Sequence, residues 1–145
     1  MKSLGKMWTL IAILALSSTA SQENNNDTAA MIVEFDIFSG KPNPTWHLSA
    51  EQAKELLGAL HGLPPADEPV PESGLGYRGF FLSNPSSAEE GTSRIRIYAG
   101  IVTMTKGDVR FYRDIHGIER QLLRQASQHG HKTIADSLLE GMFNP

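Results

Sequence analysis

The fold of this chain turns on two consecutive stretches, Met31-Ile32-Val33-Glu34-Phe35-Asp36-Ile37-Phe38 and Ser39-Gly40-Lys41-Pro42-Asn43-Pro44-Thr45-Trp46. In the first, Val33, Phe35 and Ile37 alternate with Glu34 and Asp36. That is the period of a strand with one face in a core and the other in water. In the second, Pro42 and Pro44 fix their own φ and push Lys41 and Asn43 toward extended backbone, while Gly40 permits a turn that other residues resist. A strand therefore runs into a stiff loop carrying Ser39, Lys41, Asn43 and Trp46.

Downstream, Ser49 followed by Gln52 forms a capping-box pattern. Ala53, Leu56, Leu57 and Leu60 then recur at helical spacing, with Glu51, Lys54 and Glu55 on the opposite side and Gly62 as a stop. Leu63–Gly76 holds Pro64, Pro65, Pro69 and Pro71, too many prolines for a helix or a central strand. Tyr77–Leu82 reads as a second strand in which Gly79 marks a bulge or a close backbone approach. After the loop Ser83–Ser93, Arg94–Tyr98 alternates again, with a pattern that can run on to Met104. Lys106-Gly107-Asp108 is a turn, and Val109–Tyr112 returns as its hairpin partner. Asp114 caps a second helix with Ile115, Ile118, Leu122 and Ala126 inward and Gly130 at its end. Thr133–Met142 is a short third helix, with Thr133 as its cap.

This order predicts a two-layer α+β fold: a four-stranded, mainly antiparallel sheet with two to three helices on one face and the other face in water. With the first strand beside Arg94–Tyr98, Glu34 and Asp36 would face Arg94 and Arg96, and Arg110 and Tyr112 would extend the same surface.

Upstream, Lys2 and Lys6 precede the apolar run Met7–Leu16, and Ser18-Thr19-Ala20 offers small residues for a cut after Ala20. The pattern is that of a secretory signal peptide over 1–20, and the run is shorter than the ~20 residues a membrane-spanning helix needs. Residues 21–30 are polar and aperiodic, a disordered leader by composition. Asn26-Asp27-Thr28 is a glycosylation sequon where the host glycosylates. The domain expected is 31–145, exported to a secreted or periplasmic location with no stable membrane anchor after cleavage.

Loss of Lys2 and Lys6 leaves 11 basic against 16 acidic residues, a formal charge of about −5. A surface of that sign disfavours nucleic acid and anionic lipid. With no cysteine in the chain, disulfides, thiol nucleophiles and thiolate metal sites are excluded.

Four places can carry function. At the 39–46 loop, Lys41 offers charge, Asn43 a donor and an acceptor, and Trp46 a stacking surface; its plain structural reading is a rigid connector with Trp46 closing the core. The outer sheet face, rich in Arg and Tyr, has the residue types of interfaces, or is simply solvated. Asp114, His116 and Glu119 resemble part of an acid–base set, but Asp114 is accounted for as a helix cap and no nucleophile elbow is present. His129 and His131 lack the third ligand that a zinc site requires, so no metal and no cofactor is expected.

Val33-x-Phe35-x-x-Phe38-Ser39-Gly40-x-Pro42-Asn43-Pro44-x-Trp46 resembles a stretch found in a group of secreted proteins without an assigned activity. Gly76-Tyr77-Arg78-Gly79-Phe80 and the segment from Tyr112-Arg113-Asp114 to Leu123 belong to the same pattern. The resemblance implies that these segments form one domain and brings no catalytic residue. The expected function is a non-catalytic binding or interaction domain. Ser39, Lys41, Asn43 and Trp46 would contact an extracellular glycan, peptide or protein. The alternative is a hydrolase using Ser39 or His116 with a nearby carboxylate.

Overall fold

The computed structural model describes residues 31–67, 70–72, 76–84 and 94–143. The expected signal peptide and leader, the Asn26 sequon and most of the Ser83–Ser93 loop lie outside them. The described chain is an α+β fold on a six-stranded antiparallel sheet. Its strands are β1 (Ile32–Phe35), β2 (Thr45–His47), β3 (Phe80–Ser83), β4 (Arg94–Tyr98), β5 (Ile101–Lys106) and β6 (Asp108–Arg113), in the order β2-β1-β3-β4-β5-β6.

Six strands replace the expected four for two local reasons. The run from Arg94 toward Met104 breaks at Ala99 and Gly100, both at positive φ (52° and 75°). They make a two-residue hairpin that splits one expected strand into β4 and β5. The end of the stiff loop also pairs: Thr45, Trp46 and His47 lie against Glu34, Val33 and Ile32. Three residues are too few to show alternation in a sequence, but the prolines before them hold the chain extended at the right place.

The first strand does not lie beside Arg94–Tyr98, because β3 stands between them. The register sets Thr45, Glu34, Phe81, Arg96, Thr103 and Phe111 in one row across the sheet. Glu34 is therefore next to Phe81, not Arg96. Arg110 and Tyr112 pair with Met104 and Val102, so they fall on the inner face, and Val109 and Phe111 take the outer one.

The inner row Phe35, Phe80, Ile97, Val102 is completely buried. Three helices supply the second layer: α1 (Ala50–Leu60), α2 (Ile118–Ala126) and α3 (Lys132–Phe143). Ala53, Leu56 and Leu60 of α1 join Ile118, Leu122, Leu123 and Ala126 of α2 in the same apolar cluster as the inner row. Each fully buried side chain of this size contributes about 1.5–3 kcal/mol relative to exposure. The capping box at Ser49 is present in both directions, Gln52 N–H to Ser49 Oγ at 3.1 Å and Ser49 N–H to Gln52 Oε1 at 2.9 Å. Leu57, expected on the buried face, is half exposed.

The N-cap position of α2 is Gly117, not Asp114, but the Asp114 carboxylate still closes the helix start by accepting from the Ile118 and Glu119 N–H groups at 2.8 and 2.9 Å. The helix starts only after Gly117 (φ 66°), which leaves Ile115 outside it and exposed. His129 and Gly130 leave helical geometry and kink the chain between α2 and α3. The proline-rich segment borders the sheet: Arg113 N–H donates to Pro64 O and Ala66 N–H to Phe111 O, so Pro65 sits at an edge where its missing donor costs nothing.

Candidate functional site

The 39–46 loop folds back over the outer side of β1, and Asn43 holds it there. Asn43 Oδ1 accepts from the backbone N–H groups of Ile37 (3.1 Å) and Phe38 (2.9 Å), standing in for a strand partner where the chain leaves the ladder. Its Nδ2 donates to Glu34 Oε1 and Asp36 Oδ1, both at 2.9 Å. All the bonding capacity of that amide plane is used inside the protein.

Asp36 is the second fixed point. It is buried, and Arg78 grips it in a two-pronged ion pair through Nε and Nη2. Arg78 also donates to Phe38 O and to Ser39 Oγ, the latter at 3.2 Å. Burial alone would raise the Asp36 pKa, but the hydrogen bonds from Arg78 and Asn43, with the charges of Arg78 and Arg96, outweigh it and hold the carboxyl below its ordinary range. Arg78 is shifted upward, chiefly by its hydrogen bond to Asp36.

Strand parity separates the four loop residues. Thr45 points outward and Trp46 inward, where Trp46 is 6% exposed. The Trp46 indole N–H donates to Gln125 Oε1 at 3.2 Å, and its ring stacks on His129 (5.0 Å, 16°) and meets Phe80 edge-on. Ser39 and Lys41 are exposed, with the Lys41 ammonium 3.7 Å from the Phe38 ring centre. The loop thus brings Ser39 and Asn43 into one network, stands Lys41 at its rim, and sends Trp46 to the core.

Next to this network lies a cluster in which the sequence singles out the outward arginines of β4 but not the ring they meet. Arg94 stacks on the Phe81 ring at 3.8 Å, and Arg96 lies 5.8 Å from the same ring and 5.1 Å from Tyr98. Arg96 also donates twice to Arg78 O (3.1 and 2.9 Å), which joins the cluster to the Asp36 grip. Phe81 carries no sequence signal of its own, since its neighbours Phe80 and Leu82 read as core. Arg78 had one: a cation between two glycines and a buried-strand carboxylate in need of a partner.

The acid–base candidates do not converge. The hydroxyl of Ser39 is bonded to the Arg78 guanidinium, not to an imidazole. Glu119 is turned away from solvent: it accepts from the Tyr77 hydroxyl at 2.6 Å and from the Ala99 and Gly100 N–H groups at 3.1 and 2.8 Å. Burial and the adjacent Glu119 carboxylate push the Tyr77 phenol far above its ordinary range, so it remains a donor. His129 and His131 serve as rings against Trp46 and Phe35. Among the described residues, no group of three His, Asp or Glu side chains is arranged to hold a metal ion. A cavity of about 420 Å³ lies beside the α2 N-terminus, lined by Gly100, Asp114, Ile115, Glu119, Arg120 and Met142. The Ile118 and Glu119 N–H groups there are already taken by Asp114, and the Gly100 N–H by Glu119. No family model, no curated protein and no solved structure matches this chain.

Proposed function

We propose that this is an exported, non-catalytic binding domain whose contact surface is the outer face of the sheet, with Ser39 and Lys41 at its margin. In this reading Asn43 and Trp46 belong to the site as its frame. Asn43 fixes the loop over β1, and Trp46 locks β2 to the helix layer. The observation that carries the proposal is the stack of Arg94 on Phe81, with Arg96 beside it, on a face that none of the described helices covers. Arginine and aromatic side chains in contact are the composition of binding hot spots, because the ring supplies rigid contact area and the guanidinium it holds supplies directional bonds. A face kept only for solubility gains little from an aromatic ring in its centre.

The test is a panel of glycans and peptides screened with the processed chain, then rescreened with Phe81→Ala. A ligand whose affinity falls about tenfold or more with Phe81→Ala supports the face as the site. A ligand that binds this variant as tightly as the parent would place the site elsewhere. N-terminal sequencing of the protein recovered outside the cell tests the export half, with Ser21 as the expected first residue.

A further inference from the structure

We infer that the ligand of the outer face is an acidic peptide in extended conformation, its alternate carboxylates seated on Arg94 and Arg96. This rests on the outer face being the contact surface and adds the chemistry of what it contacts. The chain as a whole is acidic, yet this patch presents cations. Among the described residues, the carboxylates beside it are already engaged, Glu34 by Asn43 and Asp36 by Asn43 and Arg78. Among the described residues, Arg94 and Arg96 form no ion pair with a carboxylate. Arg113, exposed on the same face of β6, adds a third positive charge.

Stacking on Phe81 holds the Arg94 guanidinium, and hydrogen bonds to Arg78 O hold that of Arg96, which limits the entropy they lose when they bind. The Arg94 guanidinium, held by its face, keeps its edge donors for a bidentate carboxylate, while Arg96, whose Nε and Nη2 are held by Arg78 O, offers its remaining Nη1 edge. Arg94 and Arg96 are two residues apart on one strand, an advance of about 6.8 Å. An extended peptide repeats its side chains on one face at the same interval, so acids at alternate positions match the two arginines in register. A second copy of this chain would bring the same cationic patch to the contact, and wherever the two patches overlap like charges oppose it.

The probe is a fluorescent alternating Glu-Thr peptide, with a block peptide of the same composition and a sulfated oligosaccharide beside it. Anisotropy is measured on the full processed chain. The alternating peptide is expected to bind more tightly than the block peptide, and more weakly as salt rises. Arg94→Gln is expected to weaken it about tenfold, and Arg94→Lys to restore only part of the loss because the fork is gone. Arg94 is exposed, so the variants will fold, and circular dichroism checks it. Equal binding of alternating and block peptides, or no binding of either, overturns the inference. Binding of the oligosaccharide alone, lost with Arg94→Gln and Phe81→Ala, also overturns it while leaving the outer face as the site. Peptide binding that survives both substitutions overturns the inference and the choice of face together. Self-association abolished by Arg94→Gln would name a second copy as the occupant and overturn the peptide.

Discussion

The side-chain amide of Asn43 donates to Asp36 at 2.9 Å from the same nitrogen that donates to Glu34, so one neutral group separates two carboxylates, one within β1 and one just past its end. Both acids would repel each other without it, and the loop that carries Asn43 would have no anchor over the strand. Asn43 is the point where the sequence signature Pro-Asn-Pro becomes geometry. The prolines restrict the backbone on both sides, and the side chain then reaches four partners at once.

Asn43→Asp should therefore be worse than Asn43→Ala. Alanine removes four hydrogen bonds, at about 0.5–1.5 kcal/mol each, and leaves water to reach part of the gap. Aspartate keeps the shape but loses the donor and adds a third negative charge beside Glu34 and Asp36. Its folded-state pKa would be raised above the unfolded value, so the folded form holds more protons. Stability of this variant is then expected to improve as pH falls from 7 toward the ordinary carboxylate range, opposite to the parent. Urea denaturation at several pH values reads this directly; equal costs for the two variants at neutral pH would contradict the role given to the amide.

The parent should lose stability in acid through Asp36. Its folded-state pKa lies below the ordinary value of 3.8. The stabilisation is thus fully present above that value and is lost as pH falls through the lower folded-state pKa. Asp36→Asn is expected to cost about 2 kcal/mol at neutral pH, since it leaves Arg78 without its counter-charge, and to flatten the acid limb of the stability curve. An acid limb of unchanged steepness in the variant would show that other carboxylates control it.

How much of this was legible in the sequence depended on the range of the signal. The β1 alternation and the Ser49–Gln52 capping box are local and appear where their residues predict; the Asp114 carboxylate does reach the start of α2, but the helix begins three residues later than the sequence suggests, after Gly117. Gly79 was readable as a close approach, though not what it approaches. The six-strand order was not readable, because Ala99-Gly100 lacks the side chains that usually mark a primed turn, and β2 is too short to alternate. The candidate site divided in the same way. The stiffness of 39–46 follows from its prolines, but whether Asn43 faces a ligand or Asp36 depends on β3 lying beside β1, a pairing over more than forty residues. The Arg94–Phe81 stack is likewise a product of register, which no single segment encodes.

Gly79→Ala should be among the most damaging single changes in the described chain. Gly79 has φ +102°, and a Cβ there would stand 2.3 Å from Ile97 O and 2.7 Å from the Tyr98 Cβ. Its own carbonyl accepts from Asp36 N–H at 3.0 Å, so the backbone cannot move aside without opening β1 from β3. Positive φ and a backbone clash together are expected to cost about 3 kcal/mol or more. A glycine with no such neighbour, Gly40, has open space around its missing Cβ and bears only the φ penalty, about 1 kcal/mol, when changed to Ala. Thermal melts of the two variants side by side separate the clash from the dihedral; equal melting temperatures would deny the close approach.

Thr103 offers a test of the outer face that adds stability instead of removing it. It stands in the row between Arg96 and Phe111, and its Oγ1 is buried without a hydrogen-bond partner. A hydroxyl taken out of water and left unbonded costs about 1–3 kcal/mol, while valine has the same shape, suits a strand and carries no such group. Thr103→Val is thus expected to raise stability by about 1 kcal/mol, read as a higher urea midpoint with an unchanged slope. The Arg94–Phe81 stack lies outside that change, so binding at the outer face should be nearly unaffected. A Thr103→Val protein that is less stable than the parent would mean that the hydroxyl has a partner in solution, and a large loss of binding would extend the contact surface across β5.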